Sequence, residues 1–122
     1  MTRIYALTLL ILLTGCATAP SRLPETLVTP SYVLSFQANC AEGEVGCEHL
    51  SGTLTAKGTG KPVRLVGSTY MVKCADRVTP CHIGRYDMSG GGYEVRAYPD
   101  GALELTLPNG SSVAEKGDWL DY

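Results

Sequence analysis

Apolar and polar residues alternate with a period of two over most of the chain, and this pattern predicts its strands. The clearest alternation runs over residues 32–40, 93–97 and 103–107. A period of two places every second side chain on the same face of a strand, so each segment is expected to bury one face and expose the other. The side chains that the pattern assigns to a common core are Leu34, Phe36, Leu54, Val95, Leu103 and Leu105.

Turn-forming residues separate these strands at short intervals. Residues 58–62, 99–101 and 108–110 combine glycine with proline and small polar residues, which favours tight connections. No segment after residue 16 keeps the 3.6-residue period of an amphipathic helix. We therefore predict that residues 31–122 form one all-β domain, a small antiparallel meander that folds as a barrel or a two-layer sandwich.

The apolar phase slips once, within a long run that is rich in β-branched residues. Leu65 and Val66 are consecutive apolar residues, and Gly67 follows them. A bulge inserts one residue into a strand and often lies beside a glycine. The slip therefore predicts a β-bulge near Gly67.

The amino terminus carries a short apolar segment that is distinct from the strand pattern. Arg3 precedes an apolar run over residues 4–13, which ends in Leu13-Thr14-Gly15-Cys16. About ten apolar residues span only ~15 Å as a helix, half of a bilayer core, so a membrane-spanning helix is not expected. The tetrapeptide resembles the lipobox of bacterial lipoproteins. The resemblance implies a signal peptide over residues 1–15 and cleavage before Cys16. It also implies a diacylglyceryl group on the Cys16 thioether and acylation, for example with palmitate, of the new amino terminus.

The residues after the lipobox suggest where the protein is held. In enterobacterial lipoproteins an aspartate directly after the lipidated cysteine retains the protein at the inner membrane. Ala17 stands there in this chain, and the resemblance therefore implies an outer-membrane anchor with the domain facing the periplasm. Residues 16–30 contain Pro20, Pro24 and Pro30 and show no periodicity, which predicts an extended tether between anchor and domain.

Charge limits the expected partners. Once Arg3 leaves with the signal peptide, nine of the ten lysines and arginines remain against twelve aspartates and glutamates, without any basic run. Nucleic acids and anionic lipid headgroups are bound by clustered cations, so neither is an expected ligand. The expected contacts are the membrane, through the lipid anchor at Cys16, and a protein of the cell envelope.

Four further cysteines predict a disulfide framework. Cys40 and Cys47 are separated by six residues, and so are Cys74 and Cys81. An even number of cysteines in a small exported chain is typical of disulfides. The equal gaps favour the bridges Cys40–Cys47 and Cys74–Cys81, each closing a loop, while the two crossed connectivities stay open.

Histidines near these cysteines raise the question of a metal. His49 follows Cys47 by two positions, and His82 follows Cys81 directly. Four sulfurs and two imidazoles would suit zinc or copper if the pairs met in space. Paired zinc ligands usually lie about two to four residues apart, however, and an oxidising compartment consumes thiolates. The sequence therefore predicts disulfides, with no metal and no other cofactor.

Sequence motifs of hydrolytic enzymes are missing from the chain. It has no Gly-x-Ser-x-Gly elbow and no His-Glu-x-x-His pair, the signatures of two large hydrolase classes. Its glycine run over residues 90–92 precedes no predicted helix whose amide groups would bind a phosphate. We therefore expect that the protein is not an enzyme.

One glycine-rich segment resembles a known inhibitory loop. Ser89, Gly90 and Tyr93 belong to the sequence Ser-Gly-Gly-Gly-Tyr, which is similar to the Ser-Gly-x-x-Tyr loop of the membrane-bound lysozyme inhibitors. Those proteins are also periplasmic lipoproteins with a small antiparallel barrel. The resemblance implies a loop that enters the lysozyme cleft, where its serine and a basic side chain meet the catalytic carboxylates.

The match departs from that family at the basic residue. Gly92 stands beside the tyrosine, where the family has a basic side chain. Arg85 and Arg96 are the candidates to replace it, provided that the fold brings one of them to the loop.

Together these features favour a non-enzymatic, outer-membrane-anchored lipoprotein with a periplasmic all-β domain. Its expected role is binding or structural, through a sheet edge or a loop tip that meets an envelope protein. The alternative is a lysozyme-inhibitor-like or immunity lipoprotein that protects the cell wall. A metal-binding envelope protein is the third hypothesis.

Overall fold

The computed structural model describes residues 25–40 and 46–120, which form an all-β domain. The residues of the lipobox lie outside this part of the chain. The strands are β1 (Glu25–Val28), β2 (Tyr32–Ala38), β3 (Leu50–Ala56), β4 (Pro62–Lys73), β5 (Pro80–Gly90), β6 (Tyr93–Ala97), β7 (Ala102–Thr106), β8 (Ser112–Lys116) and β9 (Asp118–Trp119).

These strands form one antiparallel sheet that curls into a nearly closed barrel. From β1 to β8, each strand pairs with the next one along the chain. β9 then pairs with β1, and Gly117 alone separates β8 from β9. The last stretch of chain therefore joins the two edges of the meander. The predicted all-β fold is confirmed, and of its two forms the barrel is the one observed.

Polar contacts hold the seam between the two edges. The buried Thr29 hydroxyl donates to a carboxylate oxygen of Glu115 at 2.7 Å, and the Ser31 backbone N–H donates to the same oxygen at 3.0 Å. Hydrogen bonding by Ser31 and then by Thr29 lowers the pKa of Glu115. The backbone approaches closely at Gly117, where a Cβ atom would lie 1.9 Å from the Val28 carbonyl oxygen.

The barrel interior contains the side chains that the alternation places there. Each of the six predicted core residues is at most 2 % exposed. The same cluster includes further apolar side chains from β1, β3, β4, β5 and β6, and it is completed by Cys47. The predicted core is therefore confirmed, and it is larger than the sequence pattern indicated.

Three aromatic rings fill one end of this interior. The ring centroid of Phe36 lies 4.8 Å from that of Tyr86 and 5.8 Å from that of Trp119, and the last two are 5.6 Å apart. Burial is the main cause that raises the pKa of Tyr86 to about 12, and the neighbouring Glu25 carboxylate adds to it. The first strand thus begins beside Tyr86, at the aromatic end of the barrel.

Part of the predicted tether belongs to the barrel instead. The structure forms β1 over Glu25–Val28 and buries Thr29, so the assignment of residues 16–30 to a tether is wrong from Glu25 onward. A strand of four residues, lying between Pro24 and Pro30, is too short to establish a period of two. Their strand depends on pairing with β2 and β9, which lie later in the sequence.

The bulge predicted near Gly67 is also misplaced. Gly67 keeps regular register between Leu50 and Met88. Val66 is instead an outward-facing apolar residue that is 66 % exposed, which is why the apolar phase appeared to slip. The register shifts lie nearer the end of β4, between Tyr70 and Met71 and between Val72 and Lys73.

The strands β4 and β5 extend beyond the rest of the barrel. Pairing of β3 with β4 ends at Gly67, and pairing of β6 with β5 ends at Tyr86. Beyond these points β4 and β5 pair only with each other. We refer to this projecting hairpin, residues 70–85, as the arm.

Candidate functional site

Both predicted disulfides are formed. Cys40 and Cys47 have Cα atoms 5.7 Å apart, and Cys74 and Cys81 have Cα atoms 5.1 Å apart. Local pairing is thereby confirmed and the crossed connectivities are excluded. Cys16, the predicted lipidation site, lies outside the described residues.

The histidines lie apart from any set of metal ligands. His49 and His82 are both exposed, and the sulfurs beside them are bonded to other sulfurs. Within residues 25–40 and 46–120, no group of three or more His, Cys, Asp or Glu side chains is arranged to hold a metal ion.

The segment from Ser89 to Tyr93 is a tight hairpin connection between β5 and β6. Gly90 pairs with Tyr93, and the two residues between them, Gly91 and Gly92, have φ angles of +57° and +83°. Two consecutive positive φ angles are typical of a two-residue hairpin turn and favour glycine. Tyr93 packs partly against the core, whereas Ser89 is exposed. Of the three residues singled out in this loop, Ser89 is therefore the one available to a partner.

The fold places Arg96 beside Ser89. Ser89 pairs with Glu94, and Arg96 pairs with Asp87, so all four lie on the outer face of the β5–β6 ladder. Ser89 and Arg96 are diagonal neighbours there, and such positions lie about 7–8 Å apart in a sheet. The fold therefore brings Arg96 to the loop, where it supplies the basic side chain that the loop sequence lacks.

Arg85 does not meet that condition. It lies four residues before Ser89 on the same strand. Its Nε donates to Asp87 at 2.7 Å, and its guanidinium lies 4.3 Å from the centroid of the Tyr70 ring. Hydrogen bonding to Asp87 raises the pKa of Arg85. Arg85 therefore belongs to the arm.

Ser89 and Arg96 line a shallow depression of about 400 Å³ on the outer face of β4, β5 and β6. We refer to it as the outer-face depression. Val66 is 66 % exposed within it, so an apolar side chain lies between polar ones. The other residues that line it are Gly67, Ser68, Asp87, Met88, Glu94 and Val95.

The arm presents a second group of exposed side chains. Tyr70 is 49 % exposed and Val78 is 77 % exposed. Lys73, Arg77 and Arg85 contribute three positive charges to residues 70–85, and Asp76 is the one acidic residue. The arm is therefore basic, although the whole chain has a net charge of −2.

Hydrogen bonds fix the tip of the arm. The Asp76 carboxylate accepts the backbone N–H groups of Val78 and Thr79, each at 2.9 Å, and also the Thr79 hydroxyl. The Thr79 hydroxyl is the main cause that lowers the pKa of Asp76. Arg77 has a left-handed φ of 60°, and its N–H donates to the Cys74 carbonyl at 2.9 Å. The tip therefore presents Arg77 and Val78 in one defined conformation.

The other disulfide-closed loop supports the base of the arm. The Thr69 N–H donates to the Cys47 carbonyl at 2.7 Å, and the Cys47 N–H donates to the Thr69 hydroxyl at 2.7 Å. Cys47 is itself buried and bonded to Cys40. One disulfide thus secures the base of the arm and the other closes its tip.

The edges of this sheet differ in how open they are to strand addition. β8 pairs only with β7 among the described strands, so its other edge is unpaired, whereas Pro80 and two register shifts interrupt the pairing along the arm. Prolines and bulges are devices that keep an edge from pairing with another chain. The arm is therefore a poor edge for strand addition.

Comparison with known proteins finds no matching family model, no curated protein and no solved structure of significant similarity. A search of the described part of the chain for helices long and apolar enough to span a bilayer finds none.

Sequence reasoning missed the residues that define these two surfaces. Val66, Tyr70 and Val78 are exposed apolar residues, and a period-of-two pattern assigns apolar residues to the core by default. The sequence contained one sign of an exposed apolar residue, because Val66 breaks the period of two. The extension of β4 beyond β3 depends on strand register, which the sequence pattern does not specify.

Proposed function

We propose that this chain is a non-enzymatic lipoprotein of the bacterial envelope that binds a protein partner through the outer-face depression. The membrane anchor rests on the lipobox resemblance at Cys16 and predicts an outer-membrane protein facing the periplasm. The single observation that carries the binding role is the depression itself. It combines an exposed apolar side chain, Val66, with an exposed arginine, Arg96.

Surfaces that bind other proteins often combine an arginine with an exposed apolar side chain. Arginine is enriched among the residues that dominate binding energy, and apolar side chains at the centre of a patch exclude water from it. The hydroxyl groups of Ser68 and Ser89 add hydrogen-bonding positions at the same surface. The barrel beneath is rigidly built from strands, so the surface is presented with little ordering cost.

Crosslinking in intact cells tests this proposal. A photoreactive p-benzoylphenylalanine replaces Val66 in the full chain, and Gln37 on the outer face of β2 serves as the control position. We expect a protein adduct at position 66 that is identified by mass spectrometry and weakens with Arg96→Glu. Lys57→Glu is the matched charge reversal and should leave the adduct unchanged. An adduct that ignores Arg96, or equal adducts at both positions, would contradict the proposal.

Inhibition of a lysozyme is the second candidate, and one observation favours it. The fold brings Arg96 to the side of Ser89, which supplies the serine and the basic group that the loop resemblance requires. The purified protein should slow at least one lysozyme of a panel, and combined Ser89→Ala and Arg96→Ala should remove that inhibition. Ser112→Ala is the control, and failure against every lysozyme would end this hypothesis.

A further inference from the structure

We propose that the tip of the arm rests on the surface of the membrane that holds the lipid anchor, with Arg77 and Lys73 near lipid phosphates. The inference rests on the proposed lipidation of Cys16. It concerns the arm and is separate from the outer-face depression. Two observations carry it, namely the place where the chain enters the barrel and the distribution of charge.

The chain enters the barrel at the end from which the arm projects. β1 begins at Glu25, which pairs with Phe36, and the ring centroid of Phe36 lies 4.8 Å from that of Tyr86. Tyr86 pairs with Thr69, the last ladder pair before the arm. β4 begins at Pro62, after the turn from β3 and at the end of the strand that is opposite to the arm. An anchor that precedes Glu25 is therefore attached on the same side of the barrel as the arm.

The segment between the anchor and β1 is short enough for the arm to reach the membrane. Nine residues, from Cys16 to Pro24, separate the anchor from β1, and they can span at most about 30 Å. The arm extends beyond Thr69 by four strand residues and the tip, about 15–20 Å at ~3.3 Å per residue. The arm therefore covers about half to two-thirds of the largest distance that the intervening chain can span.

Charge orients the arm toward anionic lipid. The sequence contains no basic run, but the hairpin brings Lys73 and Arg77 to one tip, where Val78 is 77 % exposed. Asp76 is the single acid of the arm, and its carboxylate already accepts three hydrogen bonds. The remainder of the chain has an excess of acidic residues and is repelled by the same surface. Lipid phosphates thus attract the tip and repel the barrel.

The lipid anchor allows a weak contact between the tip of the arm and the membrane to be populated. Two cations and one apolar side chain would bind a membrane only marginally from solution. A covalent anchor holds the tip at millimolar effective concentration near the bilayer, so the contact is populated without a large basic cluster. The fixed conformation of the tip reduces the ordering cost further.

Photocrosslinking of the full lipoprotein tests the inference. p-Benzoylphenylalanine is placed at Val78, or as a control at Lys61 at the opposite end of β4. The protein is reconstituted in vesicles of phosphatidylethanolamine with labelled phosphatidylglycerol. We expect transfer of labelled lipid to position 78 and little to position 61. Arg77→Glu should lower that transfer about 25-fold, since it removes one cation and adds one anion, and each charge near an anionic surface contributes roughly a factor of five. Lys116→Glu should leave it unchanged, and added salt should reduce it.

Arg77→Gly provides a variant without strain, because glycine adopts a left-handed φ at no steric cost. It should lower lipid transfer less than Arg77→Glu does. Equal transfer at positions 61 and 78, or transfer that ignores Arg77, would overturn the inference.

The same positions in intact cells separate the inference from the proposed function. A protein adduct at position 78 in place of lipid would show that the arm docks on a protein and would overturn the inference alone. Absence of palmitate labelling at Cys16 would overturn the anchor, and the inference with it.

Discussion

The closure of the barrel by β9 can be tested through the contact between Phe36 and Trp119. Phe36→Leu keeps most of the buried apolar volume but removes two ring contacts, at 4.8 Å and 5.8 Å. Aromatic pairs contribute about 0.5–1.5 kcal/mol each beyond burial. We therefore expect a loss of about 1–3 kcal/mol in the free energy of unfolding. Phe36→Ala, which also opens a cavity, should cost about 3–5 kcal/mol.

Trp119→Leu removes the same contact from the other side. It also removes the hydrogen bond that the indole N–H donates to the Tyr98 carbonyl at 3.0 Å, worth about 0.5–1.5 kcal/mol. In the double variant the Phe36–Trp119 contact is lost only once. The two single costs should therefore exceed the double cost by about 0.5–1.5 kcal/mol.

Urea unfolding followed by far-ultraviolet circular dichroism measures this coupling with the disulfides intact. Gln37→Ala, on the outer face beside Phe36, should change stability by no more than about 0.5 kcal/mol. It should also show no coupling to Trp119→Leu. Additivity of Phe36→Leu and Trp119→Leu within ~0.3 kcal/mol would refute the seating of β9 against the core.

Three further expectations follow from the same structure and sequence. Cys16→Ser should abolish palmitate labelling of the protein in cells, and unchanged labelling would contradict the lipobox assignment. Because the fold raises the pKa of Tyr86 from 10.0 to about 12, the stability that this phenol contributes is fully present below pH 10. That stability should be lost as the pH rises toward 12, and unfolding titrations should show no such loss in Tyr86→Phe. Gly117→Ala should cost about 1–3 kcal/mol because its methyl group meets the backbone of β1. Gly58→Ala, with open space around it, should cost far less, and equal thermal shifts for both would show that the seam is not tightly packed.

Local regularities of the sequence predicted much of the fold. The strands around Phe36, Val95 and Leu105 have a clear period of two, and their apolar faces are buried as expected. The equal cysteine gaps predicted both disulfides, because a short loop holds its two ends close together in any fold. These features depend only on residues that are near one another in the sequence.

Features that depend on distant pairing could not be predicted in this way. β1 is stable only because β2 and β9 flank it. The arm exists only because β3 begins at Leu50, opposite Gly67, while β4 continues beyond Gly67. The proximity of Ser89 and Arg96 likewise follows from the register of β5 with β6. The sequence pattern indicated both residues as candidates, but it did not specify whether they lie close together.

The seam has a consequence for the timing of folding. Of the strands that the structure describes, β1 is synthesised first, and its second partner, β9, is synthesised last. Contacts between such distant segments form late, because a long loop must close before they yield any stability. The barrel therefore cannot be completed until β9 is available. In the exported lipoprotein that we propose, this would keep the chain open during translocation, and folding should be completed only after β9 has entered the oxidising compartment where both disulfides form.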